Sequence, residues 1–287
     1  MLQHILPLWF WIASAALIGL CIGSFLNVVI VRLPARMEWS WRREARAILA
    51  HEGIEETAPP DLVFEPSHCP YCKHRLAIRD NLPLIGWLFL GGRCRYCRQP
   101  ISWQYPAVEA LCSLLSAIVV WKFGPGSEAM AGLLFTWLLI ALSGIDMRTQ
   151  LLPDQLVYPL LWLGLLLSIK LSAVDPPHAI LAAAVGYLSL WSVYWLFKLC
   201  TGKEGMGHGD FKLLAALGAW MGVGALLPVI LLSSLVGAIT GSLLILLRGH
   251  ERDRPIPFGP YLAAAGWLWF MAGDAILREY LTYMTRL

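Results

Sequence analysis

Apolar residues along this chain come in long runs broken by short polar turns. A helix that crosses a bilayer needs about 20 apolar residues, with a range of ~17–25. Runs of that order fall at 7–31, 105–121, 129–145, 152–170, 177–198, 209–222, 225–247 and 256–277. Residues 213–247 carry no charge and are too many for one span, so the break is placed at Gly222-Val223-Gly224, with Pro228 just beyond. The pattern predicts about eight transmembrane helices, the sixth short and either tilted or partly re-entrant; seven is the competing count. Residues 5–31 also lack charge. That is longer than the ~7–15-residue apolar core of a signal peptide, and no basic segment precedes it, so a first transmembrane helix is expected.

Composition agrees. The 287 residues are 58% hydrophobic and 14% charged, against roughly 25% charged in a soluble domain. The fold class is an all-α polytopic membrane protein. Fourteen tryptophans suit rings anchored at bilayer interfaces. A net charge of +3, with no basic face carrying interleaved aromatics, gives no case for nucleic acid.

Lys and Arg set the orientation. With the N-terminus outside, segments 32–104, 146–151, 199–208 and 248–255 face the cytoplasm. These and their flanks hold every one of the 22 basic residues except Lys122, Lys170, Arg278 and Arg286. The chain then divides into a first transmembrane helix (1–31), a cytoplasmic domain between helices one and two (32–104) and a transmembrane core (105–287). Within the loop, 36–58 mixes charges with Trp39, Trp41, Ile48, Leu49 and Ile54, the composition of an amphipathic helix. No internal repeat or low-complexity segment is present.

Cys69-Pro70-Tyr71-Cys72 and Cys94-Arg95-Tyr96-Cys97 are two C-x2-C pairs separated by 21 residues. Two such knuckles supply four thiolates to a tetrahedral zinc, and a reducing cytoplasm favours metal over disulfides. Four sulfurs leave no open position, so the zinc is expected to be structural. His68 and His74 flank the first knuckle and are expected to face solvent. Cys21, Cys112 and Cys200 are expected to be ordinary buried residues.

Asp146 and Asp210 stand at the ends of long apolar runs and, in this topology, on one side of the membrane. An ionisable group there is a functional candidate, and two carboxyls that meet in a partly dry site can share a proton, as in an aspartic protease. Gly207 and Gly209 would let a substrate strand lie beside the carboxylate. The alternatives are structural: Asp210 as a helix N-cap near Lys212, or a proton relay. Asp154, after Pro153, reads as a cap and turn residue. No G-x-S-x-G elbow, second zincin histidine or Walker loop is present.

These residues resemble the type IV prepilin peptidase family. The likeness spans nearly the whole chain: Gly23-Ser24-Phe25-Leu26-Asn27-Val28-Val29 with Arg32-Leu33-Pro34, the two C-x2-C pairs, Arg79-Asp80-Asn81-Leu82-Pro83, Tyr105-Pro106 with Glu109, the Asp146 to Leu152-Pro153-Asp154 segment, and Gly-x-Gly-Asp at 207–210. Gly86-Trp87 departs from a Ser-Trp pattern. The resemblance implies a bacterial inner-membrane enzyme with its active site facing the cytoplasm and prepilins and pseudopilins as substrates. It would cut a short basic leader after glycine with Asp146 and Asp210. It would then methylate the new α-amine from S-adenosylmethionine, with Gly92 implicated. One aspartate would deprotonate water while the other donates to the carbonyl oxygen. Asp80, Asn81 and Glu109 are polar groups that could serve methyl transfer. Glu52, Glu55, Glu56, Asp61 and Glu65 could hold the basic leader.

Two other readings compete. One is a zinc-knuckle membrane transporter or assembly factor whose aspartates relay protons or hold helices. It would need a polar path across the membrane, and the outer halves of the helices offer few polar groups. The other keeps the peptidase without methylation, against which the intact cysteine set speaks.

Overall fold

The computed structural model describes residues 6–49, 57–171, 174–248 and 256–284. Their regular structure is helical apart from two isolated β-bridges. The helices are α1 (Leu8–Ile48), α2 (Ile85–Phe89), α3 (Gln104–Phe123), α4 (Ser127–Thr149), α5 (Asp154–Leu167), α6 (Pro176–Thr201), α7 (His208–Met221), α8 (Val223–Arg248) and α9 (Gly259–Met284), with a 3-10 turn at Ile78–Asn81. Every apolar run read from the sequence lies largely within a helix. Five of these helices are long and apolar enough to cross a membrane: α1, α3, α4, α6 and, over Val223–Leu244, α8. Helices α5 and α7 have 14 residues each. The chain divides into two compact units, Met1–Ala129 and Met130–Leu287.

In the first unit α1 does not stop at residue 31. It continues through Pro34 to Ile48 and absorbs the front of the separate amphipathic helix expected at 36–58; residues 50–56 lie outside the described part. Pro34 removes one backbone bond and leaves the helix unbroken. Arg32 and Arg36 hold the returning chain against this extension. Arg32 donates to the carbonyls of Asp61, Glu65 (3.0 Å) and Pro66 (3.3 Å), and Arg36 to that of Pro59 (3.0 Å).

Helix α3 packs along α1 inside this unit. The pairing follows membrane rules, where small residues and polar groups replace the hydrophobic drive. A Cβ at Gly23 would sit 2.8 Å from the Glu109 Cα. Ser113 Oγ donates to the Ala16 carbonyl (2.9 Å) and Asn27 Nδ2 to that of Tyr105 (3.0 Å). Cys112 is buried as expected, but Cys21 and Cys200 are exposed on the surfaces of α1 and α6. An apolar thiol can face outward where the surroundings are themselves apolar.

The second unit is built around α7, which the sequence marks only as a short apolar run. Ten of its 14 residues are buried, among them Phe211, Leu213, Leu214 and Leu217. It meets α6 closely, with a Cβ at Gly186 coming 2.8 Å from the Leu214 carbonyl oxygen and one at Gly218 2.5 Å from that of Ala182. Trp220 Nε1 donates to the Leu160 carbonyl of α5 (2.8 Å), and Trp267 Nε1 of α9 to Thr136 Oγ1 of α4 (3.0 Å). The chain breaks where expected: Gly222 takes φ +79° and α8 starts at Val223.

Candidate active site and metal centre

Four segments of the second unit converge at one end. Helix α4 runs to Thr149, and Gln150, at φ +55°, turns the chain toward Leu152 and the start of α5. Asp146 is 5% exposed, and its Oδ2 accepts the backbone N–H of Gly259, the first residue of α9, at 2.9 Å. Leu152 lies between two glycines. A Cβ at Gly209 would meet its Cβ at 2.7 Å, and a Cβ at Gly259 its Cδ2 at 3.2 Å. That side chain brings the α4–α5 turn, the start of α7 and the start of α9 to one place. Asp210, 7% exposed in the first turn of α7, directly follows Gly209, which Leu152 contacts as it does Gly259.

Several local roles differ from those read in the sequence. The N-cap of α7 is Gly207, and Asp210 sits inside the first turn. Asp154 makes no cap; its carboxylate takes both bonds from Lys212 Nζ, at 2.7 and 2.9 Å, and so ties the start of α5 to the start of α7. The space where a Cβ of Gly209 would stand is filled by Leu152. Gly207 is the more open of the two: among the described residues beyond its chain neighbours, Asp210 Oδ2, at 3.7 Å, is what comes within 4 Å of where its Cβ would stand. Behind it, Lys198 and the Tyr194 hydroxyl donate to Glu204 Oε1 (2.8 and 3.3 Å), which folds the 202–207 loop onto the end of α6. Gly259 was missed altogether. Its contribution is a backbone amide, and Pro257-Phe258-Gly259-Pro260 carries no side-chain chemistry to flag it.

The four cysteines of the C-x2-C pairs meet in the first unit, with all sulfurs within 4.8 Å of one another. The two knuckles share one backbone. Cys69 N–H bonds the His74 carbonyl and Lys73 N–H the Cys69 carbonyl; Cys94 N–H bonds that of Gln99 and Arg98 N–H that of Cys94. Lys73 and Arg98 both take φ +58°. This is a repeat at the level of a single turn, invisible at the spacing of domains.

A zinc–sulfur bond of ~2.3 Å implies sulfurs about 3.8 Å apart in a tetrahedron. Cys69 and Cys97 stand 3.7 Å apart. The Cys97 and Tyr96 amides draw the Cys94 thiol down to about 7. Against the pull of the Gln99 amide, burial and the neighbouring sulfurs push Cys97 up to about 12. Sulfurs this crowded cannot all ionise by themselves, and a divalent cation resolves the conflict, so the residues fit zinc. His74 is exposed, as expected, and its ring packs on that of Tyr96 with centroids 3.5 Å apart.

Around this centre Arg95 forks onto Asp80, whose side chain is 1% exposed, with Nε bonds of 2.9 and 3.1 Å. The guanidinium holds the Asp80 carboxyl below the usual carboxylate range. Gly86 lies against the same residue, where a Cβ would come 2.5 Å from the Asp80 carbonyl oxygen; a serine there would require the turn to move. Gly92, at φ +69°, packs on the Trp87 ring, and Trp87 in turn lies 4.3 Å from Trp103. Asp61 and Glu65 are spoken for in part: Asp61 faces Arg36 at 3.6 Å, and both lend carbonyls to Arg32. Glu52, Glu55 and Glu56 lie outside the described residues.

Comparison with known proteins returns the same two parts. Residues 17–123 match the Bacterial Peptidase A24 N-terminal domain and residues 133–242 the Type IV leader peptidase family. Three curated relatives are each named prepilin leader peptidase/N-methyltransferase. The one from Xanthomonas campestris pv. campestris is 55% identical over 94% of this chain and 94% of its own. That from Aeromonas hydrophila is 54% identical over 98% and 97%, and that from Pseudomonas aeruginosa 52% over 96% and 95%. No solved structure matches. With relatives this similar along nearly its full length, the chain belongs to the type IV leader peptidase family.

Proposed function

We propose that this protein removes the short basic leader of type IV prepilins and pseudopilins and then N-methylates the exposed residue. The observation that carries the peptidase half is the burial of Asp146 and Asp210 at one end of the second unit, inside the segment that matches the leader peptidase family. The scissile carbonyl lies between the two carboxyls. The ionised one takes a proton from water; the protonated one donates to the carbonyl oxygen, and the roles reverse as the amine leaves. Two carboxyls that face one carbonyl keep one proton between them. Substrate reaches Asp210 past Gly207, the glycine left open beside it.

By membrane position, residues 1–31 form the first span, 32–104 the cytoplasmic part and 105–287 the remaining spans. Helices α5, α7 and α9 complete eight with the five of spanning length. The distribution of basic residues supports a position of the aspartates on the cytoplasmic side of the inner membrane. Cys69, Cys72, Cys94 and Cys97 hold a structural zinc, which fixes the knuckles against each other. S-adenosylmethionine is the methyl donor, and Gly92 belongs to the methyl-transfer region.

The test is mass spectrometry of a prepilin incubated with the detergent-purified enzyme and S-adenosylmethionine, beside Asp146→Asn and Asp210→Asn. Wild type should remove the leader and add one methyl, and both variants should leave the leader in place. A folded wild-type enzyme that leaves the prepilin uncut would overturn the peptidase reading.

A further inference from the structure

We propose that Gly259 is a positioning residue of the peptidase site: the amide that opens α9 holds the Asp146 carboxylate in its working orientation, and residue 259 must lack a side chain to do so. This rests on the peptidase reading of Asp146 and Asp210.

Backbone accounting singles out this amide. A helix start leaves its first amides without partners inside the helix. At α9, Pro260 has no N–H to give, and the amides of Tyr261 and Leu262 both bond the Phe258 carbonyl at 3.1 Å. Gly259 N–H is the remaining donor of that turn, and it goes to Asp146 Oδ2 at 2.9 Å. The bond comes from an element more than a hundred residues away in sequence and reaches a carboxylate that is itself buried.

Glycine is required here for a steric reason. Residue 259 is not among the glycines at positive φ, so its backbone angle does not demand one. A Cβ would stand 2.6 Å from Asp146 Oδ2 and 3.2 Å from its Cγ. The bond and the side chain compete for the same oxygen, so alanine would turn the carboxylate away or push α9 back. The matched leader peptidase segment ends at residue 242, short of this position.

The experiment measures leader removal from a prepilin by full-length enzyme in detergent, for wild type, Gly259→Ala, Asp146→Asn and Gly224→Ala. The last is a control glycine near the start of α8, with open space where its Cβ would stand. Gly259→Ala should lower kcat about 100-fold, the loss expected of a misplaced reacting group, with KM within about threefold. Gly224→Ala should cut like wild type. Thermal melting supplies a second readout through a double-mutant cycle: Gly259→Ala should lower Tm in the wild-type background and not in Asp146→Ala. A Gly259→Ala protein that fails to fold alone but folds alongside Asp146→Ala supports the inference. Equal losses in both backgrounds overturn it, as does wild-type cleavage by Gly259→Ala while Asp146→Asn is inert. Wild-type cleavage by Asp146→Asn removes the peptidase reading, and this inference with it.

Discussion

The carboxylate of Glu109 accepts the amide of Leu84 at 2.7 Å, at the centre of a turn that leucine enters only under strain. Leu84 sits at φ +57°, ψ −50°, with Ile85 N–H bonded back to the Pro83 carbonyl at 2.6 Å. This is a γ-turn of the rare positive-φ form, and such a conformation costs of order 1–3 kcal/mol. The turn aims α2, and with it Trp87, at Gly92.

Glu109→Ala should therefore release the turn and impair methyl transfer while leader removal continues. The loss of one buried acceptor should cost about 1–3 kcal/mol. Adding Leu84→Gly should recover part of it, because glycine tolerates positive φ. Separate assays of cleavage and methyl incorporation, with thermal melts of both variants, check this. Equal loss of the two activities in Glu109→Ala would refute the assignment.

The Asp154–Lys212 pair is 46% and 29% exposed at its two side chains, so its worth to stability is small, about 0.5 kcal/mol. Its effect on catalysis should be larger than that figure suggests, because it ties the start of α5, just past the turn that follows Asp146, to α7, which carries Asp210. Asp154→Ala should lower Tm by roughly 1–2 °C and slow cleavage several-fold. Exchanging the charges (Asp154→Lys with Lys212→Asp) should restore part of the rate. Kinetics of the single and double variants decide it.

Metal analysis of the purified protein should return about one zinc per chain, since one tetrahedral site takes four sulfurs. Cys94→Ser should lose that zinc and sharply increase proteolysis between residues 57 and 104, with helices α4 to α9 remaining folded. Elemental analysis and limited proteolysis test it; full zinc content in Cys94→Ser would refute the site.

Asp80→Asn keeps the shape of a buried side chain and removes the charge that Arg95 grips. The second knuckle, which carries Arg95, should loosen, and proteolysis of the same segment should accelerate several-fold even in saturating zinc. An unchanged digestion pattern would show that the knuckles hold themselves.

The parts of this protein legible in the sequence are those where chemistry and local spacing coincide. Asp146 and Asp210 stand out against apolar runs, and each C-x2-C closes its own turn. The helices are legible because a membrane-spanning segment is written in consecutive residues. What escaped the sequence depends on residues far apart. The charged stretch after residue 31 reads as a cytoplasmic segment with an amphipathic helix of its own at 36–58, yet α1 carries on into it because nothing in 32–48 breaks a helix except Pro34, which does not suffice. Gly209 reads as a glycine for substrate approach, and the sequence does not show that Leu152 packs where its Cβ would stand. Asp154 reads as a cap because its partner lies 58 positions away.

The sheathing of α7 bears on how this protein tolerates its surroundings. Fourteen residues at 1.5 Å each cover about 21 Å, less than the ~30 Å of a hydrocarbon core. A helix that short in contact with lipid would force the bilayer to thin or would tilt to suit it. Because its neighbours enclose it, lipid thickness pulls on their outer faces and not on α7. The level of Asp210 is thus set by packing rather than by membrane composition, and a change of growth temperature or acyl-chain length should leave the cutting depth where it is.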